Sequence, residues 1–311
     1  ETVQTMVVDD RGNRIYASVT QPRVSDNTGR CFAAVVIVPG GTSDGLQFTS
    51  FPEYADLASK GFVVVSYNPP GRGLDTAVDP RSDGLENFNG WLAQDSLKAV
   101  IETMIVMPNV ADDNIGIQTY SWGIATGVGM LARYPELGVK YLVDVEGPSD
   151  DFCTSAATWT LDHNLSDSTI PSFFSQITGH TDKLADPTDA NIAWWGEREA
   201  INYIGAIRAM YIRVQNMWDH VQPPSITSPD QEWYYLPEWT RNKHAIDMIN
   251  AATQGNSLLT RVNGATSGNQ DNTIYIPGVV EPLYAQYFQN GTPPDFGIGI
   301  VLETAKIPSF R

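Results

Sequence analysis

Short apolar, β-branched runs alternate with segments of helical periodicity along the first half of the chain. Residues 33–38 (AAVVIV) form an uninterrupted apolar run that ends at Pro39, Gly40 and Gly41. Residues 62–67 (FVVVSY) end at Asn68, Pro69, Pro70, Gly71, Arg72 and Gly73. Residues 114–119 (NIGIQT) lead into Tyr120, Ser121, Trp122 and Gly123, and 139–145 (VKYLVDV) into Glu146, Gly147 and Pro148. Two later runs, 210–215 (MYIRVQ) and 258–262 (LLTRV), stop at Asn216 and at Asn263-Gly264. A strand buried above and below reads as such a continuous run, so the pattern predicts a parallel sheet covered on both faces.

Helices fit between the runs. Residues 51–60 place Tyr54, Leu57 and Ala58 on one face, and Gly61 is a stop signal. Residues 91–107 carry Trp91, Leu97, Val100, Ile101, Met104 and Ile105 at helical spacing before Pro108, and 122–133 follow their strand directly. Residues 2–21 alternate around Asp9-Asp10-Arg11-Gly12-Asn13 and predict an antiparallel hairpin. Residues 242–253 predict a helix covering the sheet.

One stretch interrupts the alternation. Residues 148–206 hold no convincing strand but include Trp159, Phe173, Phe174, Trp194, Trp195 and a helical run over 191–204. Lying between two strands, this stretch is expected to be a cap inserted into a core of residues 1–147 and 207–311. An ordinary pair of surface helices is the alternative.

Composition narrows the functions. At 311 residues, 42% apolar and 18% charged, with 26 Gly and 20 Pro spread along it, the chain is no coiled coil, collagen or extended disorder. No apolar run reaches the length that crosses a bilayer. The excess of 36 acidic over 19 basic residues, net −17, argues against nucleic acid and against a membrane as partner. No His/Cys/Asp cluster has metal-ligand spacing, and neither a Walker loop nor a dinucleotide fingerprint follows the first strand, so no cofactor or metal is expected. The chain opens at Glu1 without a hydrophobic leader, and its acidity suggests an exported protein whose signal has been removed. Cys31 and Cys153, the only cysteines, are expected to be free, partly buried thiols.

Chemistry concentrates in residues 115–135 (IGIQTYSWGIATGVGMLARYP), which read as strand, tight turn and helix with Ser121 at the turn. Such a turn lifts a hydroxyl above the sheet edge, beside a helix N-terminus whose N–H groups can hold an oxyanion. The segment resembles the nucleophile elbow of the α/β-hydrolase superfamily, with Thr119 in place of the first glycine of G-x-S-x-G. The order of elements extends the resemblance over nearly the whole chain, most closely to the prolyl-oligopeptidase and X-prolyl-dipeptidase-like branches. It implies a three-layer α/β-hydrolase fold, a mostly parallel twisted sheet with helices on both faces and a helical cap.

The resemblance further implies that Ser121 is the nucleophile, that Gly41 and Thr42 supply one oxyanion N–H and Trp122 the other, and that Asp219 is the triad acid. Glu146 is the alternative acid. The family's histidine follows the last strand, yet residues 263–272 contain none. The chain's four histidines are His163, His180, His220 and His244. His220 beside Asp219 is one candidate base, and His163 or His180 from the cap is another. A serine without an adjacent base is a poor nucleophile, so a third outcome is a hydrolase-fold chain without the chemistry. Two functions therefore stand: a serine hydrolase acting on a small-molecule or peptide substrate, or an inactive binding or assembly protein. Self-association as a homo-oligomer stays open, with residues 275–311 as one edge that could dock.

Overall fold

In the computed structural model, residues 1–23, 29–150, 180, 186–216, 247–248, 251–252 and 260–265 are described. The chain begins with the hairpin β1 (Thr2–Val8) and β2 (Arg14–Thr20). Its turn is closed by Asp9, whose Oδ1 accepts from the N–H groups of Arg11 (2.9 Å) and Asn13 (2.8 Å). An aspartate carboxylate mimicking a backbone turn in this way is why Asp-rich connections read as turns.

Six further strands follow: β3 (Phe32–Val38), β4 (Phe62–Tyr67), β5 (Val110–Tyr120), β6 (Tyr141–Val145), β7 (Met210–Asn216) and β8 (Thr260–Ala265). They form one eight-stranded sheet in the order β1-β2-β4-β3-β5-β6-β7-β8. β2 runs antiparallel to both its neighbours, and β3 through β8 are parallel. Helices α1 (Pro52–Ser59), α2 (Trp91–Ile105), α3 (Gly123–Arg133), α4 (Asp189–Gly196) and α5 (Ile201–Ile204) connect them.

Alternate residues of the central strands feed two separate cores, as the pleat requires. Val36, Val38, Ile117, Leu142 and Tyr211 pack with Leu97 and Val100 of α2, Ile124 and Val128 of α3, and Ile204 of α5. Val35, Ile37, Val64, Val143 and Ile212 pack with Tyr54 and Leu57 of α1 on the opposite face. Helix, sheet and helix therefore make three layers. Truncating a fully buried member such as Ile37 or Leu97 to Ala costs about 2–5 kcal/mol.

Three boundaries differ from the sequence pattern. β5 starts at Val110, because Phe32 pairs with Val110 before the register shifts to Ala34 opposite Ile115. The polar residues Asp112 and Asp113 lie exposed in that stretch, which hides it from a hydrophobic pattern. β8 continues through Asn263 and Gly264 to Ala265, with Gly264 opposite Gln215, where a turn was expected. The helical run 191–204 is two helices, broken after Gly196. Cys31 is a free thiol, exposed rather than partly buried, and its Sγ donates to the Pro108 carbonyl at 3.6 Å; Cys153 lies outside the described residues.

Among the described residues no helix is long and apolar enough to cross a membrane, and no group of His, Cys, Asp or Glu is placed to hold a metal ion. The inserted stretch falls largely outside the described residues. Its described residues are 148–150, 180 and 186–206; among them α5 lies against α3, and Ala200 and Ile204 join the core.

An ion pair fastens the hairpin to the long connection after β4. Arg14 meets Asp83 through Nε (2.7 Å) and Nη2 (2.9 Å), and its backbone N–H adds a third bond at 3.1 Å. The Arg14 side chain, then its backbone N–H, hold the Asp83 carboxyl down at about 2. A carboxyl with a lowered folded pKa stabilises the fold above its unfolded value and loses that contribution as pH falls towards 2. Asp83→Asn is therefore expected to flatten the acid limb of the stability profile between about pH 4 and 2, measured by urea unfolding at stepped pH, with wild-type and variant curves converging at the acid end.

Candidate active site

β5 ends at Tyr120 and α3 begins at Gly123, leaving Ser121 at the crossover. Ser121 has φ 49°, in the left-handed region that non-glycine residues rarely occupy. Such a conformation costs on the order of 1–3 kcal/mol and persists only where surrounding structure imposes it. Here the Ser121 N–H bonds the Val145 carbonyl of β6 at 3.0 Å, and its own carbonyl accepts from Ile124 of α3 at 3.1 Å. Strand pairing on one side and helix initiation on the other thus force the turn. Ser121 is half-buried, and among the described residues nothing hydrogen-bonds its Oγ.

Two glycines make room for the turn. A Cβ on Gly40 would stand 2.6 Å from the Tyr120 carbonyl oxygen and 2.8 Å from Cβ of Ser121. A Cβ on Gly123 would stand 2.6 Å from the Pro39 oxygen and 2.8 Å from that of Val38. The loop after β3 therefore lies directly against the serine turn. Thr119 raised the question of how the helix approaches without the motif's first glycine. The missing space comes from the helix instead: a Cβ on Gly127 would meet Thr119 Cγ2 at 2.6 Å. Thr119 is fully buried, and among the described residues its hydroxyl has no hydrogen-bond partner.

The loop after β3 is braced from below by the connection after β4. Its turn is closed by the Ser43 N–H on the Gly40 carbonyl at 2.9 Å, with Gly41 at φ 51°. Asn68 accepts from the Leu46 N–H at 3.0 Å and donates to Asp79 Oδ1 at 2.6 Å. Asp44 Oδ1 takes the Gly73 N–H at 2.8 Å. Arg72, buried, pairs with Glu86 and reaches the Ser43 carbonyl at 3.3 Å. In the sequence Asn68 and Arg72 only mark where the apolar run 62–67 ends, so their bracing role is a finding of the structure. The Gly41 and Thr42 N–H groups make no hydrogen bond to a described residue.

β6 is followed by another left-handed residue, Glu146 at φ 53° and half-buried, whose N–H bonds the Val214 carbonyl at 3.0 Å. Beneath it lies a fully buried cluster. Asp144 accepts from Arg213 Nη1 (2.7 Å), the Tyr211 hydroxyl (2.7 Å) and the Gly147 N–H (3.0 Å). Asp144 and Arg213 are direct partners in the β6–β7 register. Burial, then the Asp144 charge, push the Tyr211 hydroxyl well above its ordinary value, so it remains a donor.

Aromatic rings flank the serine on the α3 side. Trp122 is fully buried at the start of α3, with Phe88 at 5.4 Å and Trp195 at 5.8 Å between ring centroids. Trp194 meets Trp195 edge-on at 4.8 Å, the His180 ring stacks on it at 3.9 Å, and the Arg198 guanidinium stands 3.7 Å from its centroid. Burial pulls the Arg198 guanidinium down to about 10, far enough above neutrality to stay charged. The geometry thus brings together Ser121, Gly41, Thr42, Trp122 and Glu146 at one sheet edge. It places His180 in the aromatic stack. Asp219, His220, His163 and His244 lie outside the described residues.

No family model matches the chain, and no curated protein matches it in sequence. Solved structures do match in fold. Dipeptidyl peptidase 4 of Porphyromonas gingivalis superposes with TM-score 0.61 at 16% identity, covering 97% of this chain and 35% of that one. Acetyl xylan esterase 1 from Thermoanaerobacterium sp. JW/SL YS485 gives TM-score 0.56 at 15% identity, covering 98% and 88%. Acylaminoacyl peptidase of Pyrococcus horikoshii gives 0.54 at 13%, covering 84% and 36%. The architecture is the α/β-hydrolase fold. The chain spans about a third of the length of the peptidases it matches and most of the esterase.

The Thr119–Gly127 exchange predicts a compensating pair. Gly127→Ala alone is expected to lose about 1–3 kcal/mol through overpacking against Thr119. Thr119→Ala together with Gly127→Ala recovers it, because the methyl is gone, an unpaired hydroxyl is removed and Ala favours the helix. Urea unfolding of the two singles and the double reads this directly. For the buried cluster, Arg213→Met leaves Asp144 without its charge partner and is expected to cost about 3–5 kcal/mol; a near-neutral result would remove its claimed role.

Proposed function

We propose that the chain is a serine hydrolase that opens an ester or peptide bond through a Ser121 acyl-enzyme. The observation that carries this reading is the strained left-handed turn at Ser121, with its hydroxyl bonded to no described residue and the Gly40–Thr42 loop packed against it. Strain of this kind collects at functional sites because ordinary packing does not select it. Peptidases and esterases among the fold's relatives agree with the reaction class.

In this reading Ser121 Oγ attacks the carbonyl carbon and gives its proton to a base. The carbonyl oxygen, now negative, is held by the N–H groups of Thr42 or Gly41 and of Trp122. The carbon–heteroatom bond breaks, the leaving group takes the proton, and water releases the acyl group by the same steps in reverse order. Asp219 and His220 are the proposed acid and base, with Glu146 as the alternative acid orienting the imidazole. His163 or His180 from the cap is the alternative base, and residues 263–272, where the family's histidine would follow the last strand, contain none of the four histidines. That gap favours the second reading, a catalytically silent hydrolase fold that binds or assembles. An exported location and a small-molecule or peptide substrate remain part of the proposal.

A fluorophosphonate probe separates the two readings. The first predicts a covalent adduct mapped by mass spectrometry to Ser121, with p-nitrophenyl acetate turnover lost in Ser121→Ala. Unlabelled Ser121 in folded protein, with no p-nitrophenyl acetate turnover, supports the second.

A further inference from the structure

Asn89 sits at the junction of three parts of the site, outside every motif that the sequence singled out. It is fully buried and adopts φ 63°, a conformation that asparagine tolerates better than most residues. Its Nδ2 donates to the Gly41 carbonyl at 2.9 Å. Its Oδ1 accepts from Arg72 Nη2 at 3.2 Å and from the Thr126 hydroxyl of α3 at 3.3 Å. The orientation of this amide is settled by chemistry. A guanidinium only donates, so the asparagine oxygen must face Arg72 and the amide nitrogen must face Gly41. Arg72 is itself held by Glu86 through Nη2 at 3.0 Å and a second bond from Nε.

The consequence runs through one peptide unit. No described peptide is cis, and in a trans peptide the C=O and the following N–H point in opposite directions. Asn89 draws the Gly41 carbonyl inward, so the Thr42 N–H must face the other way, towards the exposed edge where Thr42 lies. Gly40, one residue earlier, is in contact with Ser121. Without Asn89, the Gly41–Thr42 peptide could rotate and present its carbonyl oxygen, which would repel a developing negative charge instead of binding it.

We propose that Asn89 is a positioning residue that locks the Gly41–Thr42 peptide with its N–H aimed at the oxyanion, with Arg72 and Glu86 fixing the direction of the Asn89 amide. This rests on the Ser121 reading and adds to it a buried residue that touches no substrate. Such a residue acts on the transition state and not on substrate binding, so its loss lowers kcat and leaves KM unchanged.

Two substitutions test it. Asn89→Asp keeps the acceptor for Arg72 and Thr126 and removes the donor to Gly41. Asn89→Gly keeps the left-handed backbone and removes the whole amide, which protects the test against a folding failure. With p-nitrophenyl acetate, both variants are expected to lose kcat on the order of 10²-fold, the effect of one misplaced oxyanion donor, at constant KM. Wild-type kcat in both variants, or a loss confined to KM, overturns the proposal. The fluorophosphonate adduct on wild-type Ser121 is the separate control: if it is absent, the nucleophile assignment has failed and the Asn89 proposal fails with it; if it is present, the variants judge Asn89 alone.

Discussion

Three backbone segments converge within van der Waals contact at Ser121: the end of β3, the end of β5 and the start of α3. The contact is possible only because positions 40 and 123 carry no side chain, and a Cβ at either would sit inside another segment's carbonyl. Everything distinctive about the site follows from that convergence. The parallel pairing of β5 with β3 and β6 sets where Tyr120 ends, and the helix cannot begin until the chain has reversed. The reversal takes one residue, Ser121, at the cost of a left-handed backbone. The sheet's buried pairing supplies the energy that holds it there.

The carboxyl edge around this turn is unusually polar for a buried surface, and its polar groups are arranged as braces. Asn68, Arg72 and Asn89 hold the loop after β3, while Asp144, Tyr211 and Arg213 hold the exit of β6. A buried ion pair gives little net stability compared with apolar residues of equal volume. Its effect is directional, because breaking one partner is expensive and so only one arrangement survives. Both braces end on backbone groups of a turn that flanks Ser121: the Gly41 and Ser43 carbonyls on one side, the Gly147 peptide on the other.

Much of the fold was legible because the central strands are buried on both faces, so residues such as 33–38 and 62–67 are apolar without interruption. Ser121 was legible for a local reason, since strand, turn and helix are adjacent in sequence and small residues follow at fixed spacing. The exceptions are equally physical. Asn263 and Gly264 have turn composition but lie in β8, where pairing with β7 overrides propensity. Thr119 looked like a defect in the motif because its compensation, Gly127, is a helix turn away. Asn89 gave no signal, for its role depends on the peptide it meets 48 residues earlier. Asp144 and Arg213 left a faint one: opposite charges at matching positions of two apolar runs, readable as a pair once the β6–β7 register is known. Asp219 and His220 lie outside the described residues.

The most direct test of the central claim is a crystal structure of the protein soaked with a simple arylboronic acid, which forms a tetrahedral adduct with an activated serine. The account predicts boron bonded to Ser121 Oγ, Ser121 at positive φ, and one boron-bound oxygen within hydrogen-bond distance of the N–H groups of Thr42 and Trp122. A Ser121 of ordinary negative φ, or an adduct whose oxygen faces the Gly41 carbonyl, would contradict it.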